Sequence, residues 1–190
     1  MPRVMRAWHL IPDRKLAIGA SAKCGSTALK TELTGDTQLG CVLDGHRVDF
    51  SGIPVGYHKV GIVRHPVARQ RSLYANIQER ERTPTNFYKQ FEGKSQWDVF
   101  DGIIQAGLGY DVHFHPQWWI GLKNADELVP LEDLSNWWEE TFGYMLPVKN
   151  DSKGHYPEDP ETDARVLSRY QTDLRLWERA NGIEQKELSA

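Results

Sequence analysis

The sequence predicts an α/β domain with a mainly parallel central sheet flanked by helices, because a short apolar run, a loop and a helix-forming segment follow one another three times. Lys15-Leu16-Ala17-Ile18-Gly19 leads through small residues to Ser26–Leu33, and His58–Val63 leads through Arg64-His65 to a helix opened by Pro66. Glu127-Leu128-Val129-Pro130-Leu131 then leads into Leu134–Phe142. In such folds ligands gather at the carboxyl ends of the strands, so the loops after the first two strands are where function is sought.

Each element has its own signal. The first run stops at Gly19 and small residues, and the composition from Ser26 to Leu33 favours a helix. Cys41 to Phe50 alternates around Asp44-Gly45, the short-range signature of a hairpin, which is expected at a sheet edge. Pro66 suits the first turn of a helix running to about Arg80, since its missing N–H would have no helical partner there. Helical stretches are expected near Thr85 to Phe91 and Ser95 to Ala106, with Gly107-Leu108-Gly109 as a stop. Leu167, Tyr170, Leu174 and Trp177 recur every three or four residues, which predicts one long final helix from about Asp163 to Ala180.

With 190 residues and no change of composition regime, the chain is read as a single domain over 1–190, its core spanning about 15–180. A formal net charge of -3 argues against a chain whose main partner is a nucleic-acid backbone, although a local basic pocket is compatible with it. No apolar run approaches the ~20 residues needed to span a bilayer, and Met1 to Trp8 lacks the apolar stretch of a signal peptide. The expectation is a cytoplasmic protein without a membrane partner. Cys24 and Cys41 are too few for a disulfide framework or a cysteine zinc site, so reduced thiols are the default. Oligomeric state has no signal.

The most informative segment is Gly19-Ala20-Ser21-Ala22-Lys23-Cys24-Gly25-Ser26-Thr27, between the first strand and its helix. A helix start offers N–H groups without helical partners and the positive end of a macrodipole. Gly25 lets the backbone approach a ligand, Ser26 and Thr27 add hydroxyl donors, and Lys23 adds a mobile charge. This is not a Walker A loop, because Lys23 precedes Gly25 and five residues separate Gly19 from Gly25. Taken alone, the string would also suit a small-residue turn capping a helix. The order Lys-x-Gly-Ser-Thr resembles the 5'-phosphosulfate loop of sulfotransferases that use 3'-phosphoadenosine-5'-phosphosulfate (PAPS).

After the second strand, Arg64 can fork onto a phosphate and Ser72, about two turns later, can add a hydroxyl. Arg64, Arg69, Ser72 and Tyr74 fall at the spacings of the family's 3'-phosphate segment, with His65 where the family more often has Asp. Arg71 is read as part of a solvated helix face. Asp111-Val112-His113-Phe114-His115-Pro116-Gln117 is similar to the Asp-x-His-x-x-Pro-Gln block of carbohydrate-type members. If that segment is extended, both histidines point to one face, and a group titrating near neutrality suits removal of an acceptor proton. His113, which aligns with the family histidine, is the expected base and His115 the reserve. A metal pair is the rival reading, without a third ligand at motif spacing.

Asn150-Asp151-Ser152-Lys153 resembles the family's Asn-x-Ser segment near the 3'-phosphate, with Lys153 where Arg is usual. Val129 to Leu134 and the series Tyr170, Asp173, Trp177 also resemble family segments, and both are read as architectural. The adjacent pairs Trp118-Trp119 and Trp137-Trp138 are each expected to split between core and surface, so that at most one member of each could stack on an acceptor.

The resemblance runs in order from about Lys15 to Trp177. It implies a P-loop NTPase-like sulfotransferase fold, PAPS as donor, 3'-phosphoadenosine-5'-phosphate (PAP) as product, no metal, and an acceptor hydroxyl for which carbohydrate is the favoured class. Lys23, Cys24, Gly25, Ser26, Thr27, Arg64, Ser72, Asn150, Ser152 and Lys153 would bind the donor, and Lys23, His113 and His115 are the candidates for catalysis. Two other readings stand beside it: a nucleotide or small-molecule kinase of P-loop type, and a non-catalytic module that binds PAP or another nucleotide.

Overall fold

The structure is a computed structural model that describes residues 7–34, 47–79, 90, 91, 93–106, 113, 115–146 and 158–183. Five strands form one sheet in the order β3-β1-β2-β4-β5: β1 (Trp8–Ile11), β2 (Leu16–Ala20), β3 (Arg47–Val48), β4 (His58–Val63) and β5 (Glu127–Pro130). Parallel pairing joins β2 to β4 from Leu16↔His58 to Ala20↔Ile62, and β4 to β5 from Val60↔Glu127 to Val63↔Pro130. β1 runs antiparallel to both β2 and β3, so the sheet is mixed rather than mainly parallel. The strand-loop-helix signals read the parallel half correctly. They missed β1, whose four residues are too few to show a period and whose partner is found through the tight turn Pro12–Arg14.

The helices are α1 (Ser26–Thr34), α2 (Pro66–Glu79), α3 (Gln96–Ala106), α4 (Leu134–Phe142), α5 (Pro160–Arg169) and α6 (Gln171–Ala180). Side chains alternate across each strand, so the sheet feeds two cores. Ile18, Ala20, Val60, Ile62 and Val129 pack against Leu29 of α1 and Leu134 and Trp138 of α4. Ala17 and Val63 face the other side, with Trp8, Ile120, Leu122 and Leu176 of α6. Leu73 and Ile77 of α2 meet Val99 and Ile103 of α3 in a third cluster.

The expected final helix is two helices. The chain breaks at Tyr170 (φ -112°, ψ 36°), whose buried ring packs with Phe100 and Val166, and α5 begins earlier than read, at Pro160. The buried positions are Thr162, Val166, Tyr170, Asp173 and Leu176, so the buried stripe includes a hydroxyl and a carboxylate that an apolar count passes over. Most of the expected hairpin and of the Thr85 to Phe91 helix lies outside the described residues; Arg47–Val48, its one described strand, pairs with β1 at the sheet edge. Among the described residues, no helix is long and apolar enough to cross a membrane.

Candidate functional site

β2 and β4 are parallel neighbours, so the loops that leave their carboxyl ends, at 21–25 and 64–65, emerge side by side. In the first loop Cys24 N–H donates to Ser21 O (3.1 Å), and Leu29 N–H donates to Gly25 O (3.1 Å), which makes Gly25 the cap residue from which α1 starts. Gly25 has φ +76°, and a Cβ there would stand 2.9 Å from Leu131 Cδ1 and 3.1 Å from Leu134 Cδ2. Glycine is therefore favoured by its backbone conformation, and the β5–α4 junction builds a close wall behind the loop. The Val129 to Leu134 segment, read as architectural, supplies that wall.

Lys23 also occupies the left-handed region, at φ +66°, where non-glycine residues are uncommon and surroundings must hold them. Part of that hold comes from the second loop, because Arg64 Nη1 donates to Lys23 O at 3.1 Å. The first turn of α1 then presents Ser26 and Thr27, both half-buried, and main-chain N–H groups that the helix cannot pair internally. Lys23, Gly25, Ser26, Thr27 and Arg64 are thus brought to one edge of the sheet. Cys24, expected among the donor-binding residues, is wholly buried with its thiol on Gln117, and Ser72, two turns along α2 and only 9% exposed, is the next least accessible of the expected ligands that are described. Asn150, Ser152 and Lys153 lie outside the described residues.

A buried polar network ties this edge together. Arg69, 5% exposed, donates from Nε to Ala22 O (3.1 Å) and from Nη2 to His113 O (2.9 Å) and His115 O (2.8 Å). Its Nη1 lies 4.0 Å from Asp173 Oδ2 on α6. Asp173 accepts from the N–H groups of Gln117 (2.8 Å) and Trp118 (3.1 Å), at the start of the 3₁₀ turn Gln117–Ile120. Burial pushes the Asp173 carboxyl up, against the lowering influence of Arg69 and of those two N–H donors. Gln117, fully buried, uses its amide on Arg64 N–H, Arg64 O and Cys24 Sγ. Burial likewise raises the Cys24 thiol above its ordinary value, which keeps the proton on sulfur and makes it a donor to Gln117 Oε1.

Several expectations change here. Neither His113 nor His115 lies in a strand, and the carbonyls of both accept from one nitrogen of Arg69, so the premise of an extended strand with two rings on one face is not met at these two residues. His115 is 6% exposed and its ring lies 5.0 Å from that of Trp119, which gives it a packing role. His113 is half-buried and keeps access to solvent. Arg71 is not a solvated face: Nη2 pairs with Asp163 Oδ2 at 2.5 Å, bridging α2 and α5. Trp137-Trp138 divides as expected between a half-buried and a fully buried ring, whereas Trp118 and Trp119 are both exposed, at 37% and 39%. Lys123 Nζ lies 4.5 Å over the Trp118 ring.

His65, in the position where the resembled family favours a carboxylate, meets the Trp177 ring edge-on at 4.8 Å, and burial lowers its imidazole below the ordinary value. Sequence reasoning missed the roles of Gln117 and Asp173 in this network, although both lay in segments that it singled out. Among the described residues, no group of three or more His, Cys, Asp and Glu is placed to hold a metal ion. Comparison of the chain with family models, with curated proteins and with solved structures finds no match.

Proposed function

We propose that the chain is a sulfotransferase that moves a sulfuryl group from PAPS to an acceptor hydroxyl. The observation that carries the reading is the bond from Arg64 Nη1 to Lys23 O, which joins two loops of anion-binding composition at the ends of adjacent parallel strands. A nucleotide with charged groups on both its 5' and 3' sides calls for two such loops at fixed separation. The order of the Lys-x-Gly-Ser-Thr, Arg-x-Pro and His-x-x-Pro-Gln segments supplies the specific chemistry.

In this reading the first-turn N–H groups of α1, with Ser26 and Thr27, bind the 5'-phosphosulfate. Arg64 and Ser72 bind the 3'-phosphate, and that binding energy orients the donor. The acceptor oxygen attacks sulfur in line as the bond from sulfur to the bridging phosphate oxygen breaks. Lys23 stabilises the charge that develops on the departing phosphate. His113 takes the acceptor's proton, since its solvent access suits a base better than the packed ring of His115. Carbohydrate is the acceptor class favoured by the resemblance.

Calorimetric titration with PAP, beside ATP with Mg²⁺, tests this. The expected result is micromolar PAP binding that weakens at least about tenfold in Arg64→Ala and in Lys23→Ala, a loss of about 1.4 kcal/mol for each charge-assisted contact set. Transfer of label from PAPS to hydroxyl acceptors should then fall in His113→Ala with PAP affinity retained. A folded protein that ignores PAP overturns the reading, and ATP binding in its place supports the kinase alternative.

A further inference from the structure

Arg64 stands one residue past the end of β4. The last parallel registers are Ala20↔Ile62 on one side and Val63↔Pro130 on the other. Its N–H and C=O are both met by one side chain: Arg64 N–H donates to Gln117 Oε1 (2.9 Å) and Gln117 Nε2 donates to Arg64 O (2.8 Å). A primary amide offers donor and acceptor in one plane, so it imitates a ladder partner for a residue beyond the ladder. An N–H can only donate and a carbonyl only accept, so these two bonds also settle which way the amide points. The same Oε1 accepts from Cys24 Sγ at 3.0 Å, and that thiol contacts Ser21 Oγ at 3.1 Å. One fully buried amide therefore contacts both anion-type loops.

We infer that Gln117 is a positioning residue that locks the Lys23–Gly25 loop and the Arg64 loop into one unit, fixing the separation between the two anion subsites; the ligand part of this inference rests on the PAPS reading above. Gln117 reaches no ligand in this scheme and acts through Arg64 and Cys24. No other side chain substitutes. Glutamate keeps the acceptor but turns a second oxygen onto Arg64 O, asparagine is one methylene short, and methionine fills the volume while withdrawing the amide from the Arg64 N–H and C=O. Asp173 secures the anchor itself, by holding Gln117 N–H at 2.8 Å.

The test uses the full chain and the variants Gln117→Met, Gln117→Glu, Arg64→Ala and the double Gln117→Met/Arg64→Ala, with thermal unfolding to establish that each folds. Peptide-resolved hydrogen exchange should show protection lost together over 20–27 and 60–66 in Gln117→Met, by about tenfold in rate, while α3 and α6 are unchanged. PAP binding should weaken by about tenfold in Gln117→Met, and the double variant should bind within about twofold of Arg64→Ala, because a residue acting through Arg64 adds nothing once Arg64 is gone. A purely structural contribution would instead add in the double variant, which overturns the assignment, as does unchanged exchange in both loops. If the unmodified protein does not bind PAP, the sulfotransferase reading fails by itself and the exchange result alone decides whether Gln117 couples the loops. Should Gln117→Met not fold, Gln117→Glu serves in both measurements, with the same two results overturning the inference.

Discussion

Arg69 is almost wholly withdrawn from water because three carbonyls and a carboxylate surround its guanidinium. A planar group with five donors in a fork can serve Ala22, His113 and His115 at once, which a lysine ammonium cannot do from one position. Removing one partner from a buried charged set leaves the others uncompensated, and that is where large losses arise. Arg69→Lys should therefore destabilise the fold by about 3 kcal/mol in urea unfolding, close to the loss for Arg69→Ala. A lysine variant as stable as the parent would mean that the fork geometry is irrelevant. The same position shows where residue-level reading stops: Arg69 was legible as part of a spaced motif, but its side chain serves backbone, and nothing in a linear spacing separates an arginine that meets a phosphate from one that meets carbonyls.

Among the elements, α5 has the clearest start signal. Asp159 accepts from Thr162 N–H (3.1 Å) and from Thr162 Oγ1 (2.6 Å), and Pro160 occupies the first turn. The Thr162 side-chain and main-chain bonds hold the Asp159 carboxyl below its ordinary value. A depressed carboxyl contributes stability that is present above its unfolded value, about 3.9, and is lost as pH falls through the lower folded one. Asp159→Ala should cost about 1 kcal/mol at pH 7, and the difference from the parent should fade in unfolding measured below about pH 4. Asp159→Asn should cost little at either pH, since asparagine caps nearly as well. The elements that sequence reading found, β2, α1, β4, α2, α3, β5 and α4, each carry a local period or a capping signal of this kind. Those it missed or merged are set by pairing and packing: β1, too short to show a period, by its pairing with β2 and β3, and the break at Tyr170 by the seat of its ring against Phe100 and Val166.

For the whole molecule, the polar network makes the sheet edge, the 113–117 segment and α6 parts of one assembly, through Arg69, Asp173 and Gln117. A ligand that binds this edge in the folded state alone stabilises the entire fold by mass action. If PAP is that ligand, at a hundred times its dissociation constant it should add about 2.7 kcal/mol, which for a chain of this size raises the unfolding midpoint by about 5–10 °C. Adenosine at the same concentration, without either charged group, should leave the midpoint where it was. The amino-acid sequence by itself determined the α/β class, the three strand-loop-helix units and the identity of the loop residues from Lys23 to Thr27 and at Arg64, because these rest on short-range periodicity, glycine conformation and helix-start chemistry. Only the tertiary structure decided that the sheet is mixed, that Gln117 completes the backbone pairing of Arg64, that His115 is packed while His113 is reachable, and that Asp173 faces inward. The placement of Gln117, His115 and Asp173 depends on contacts between residues 46 to 56 positions apart, such as Arg69 with His115 and Gln117 with Asp173, and no local pattern in a chain encodes which distant groups will be brought within hydrogen-bond reach.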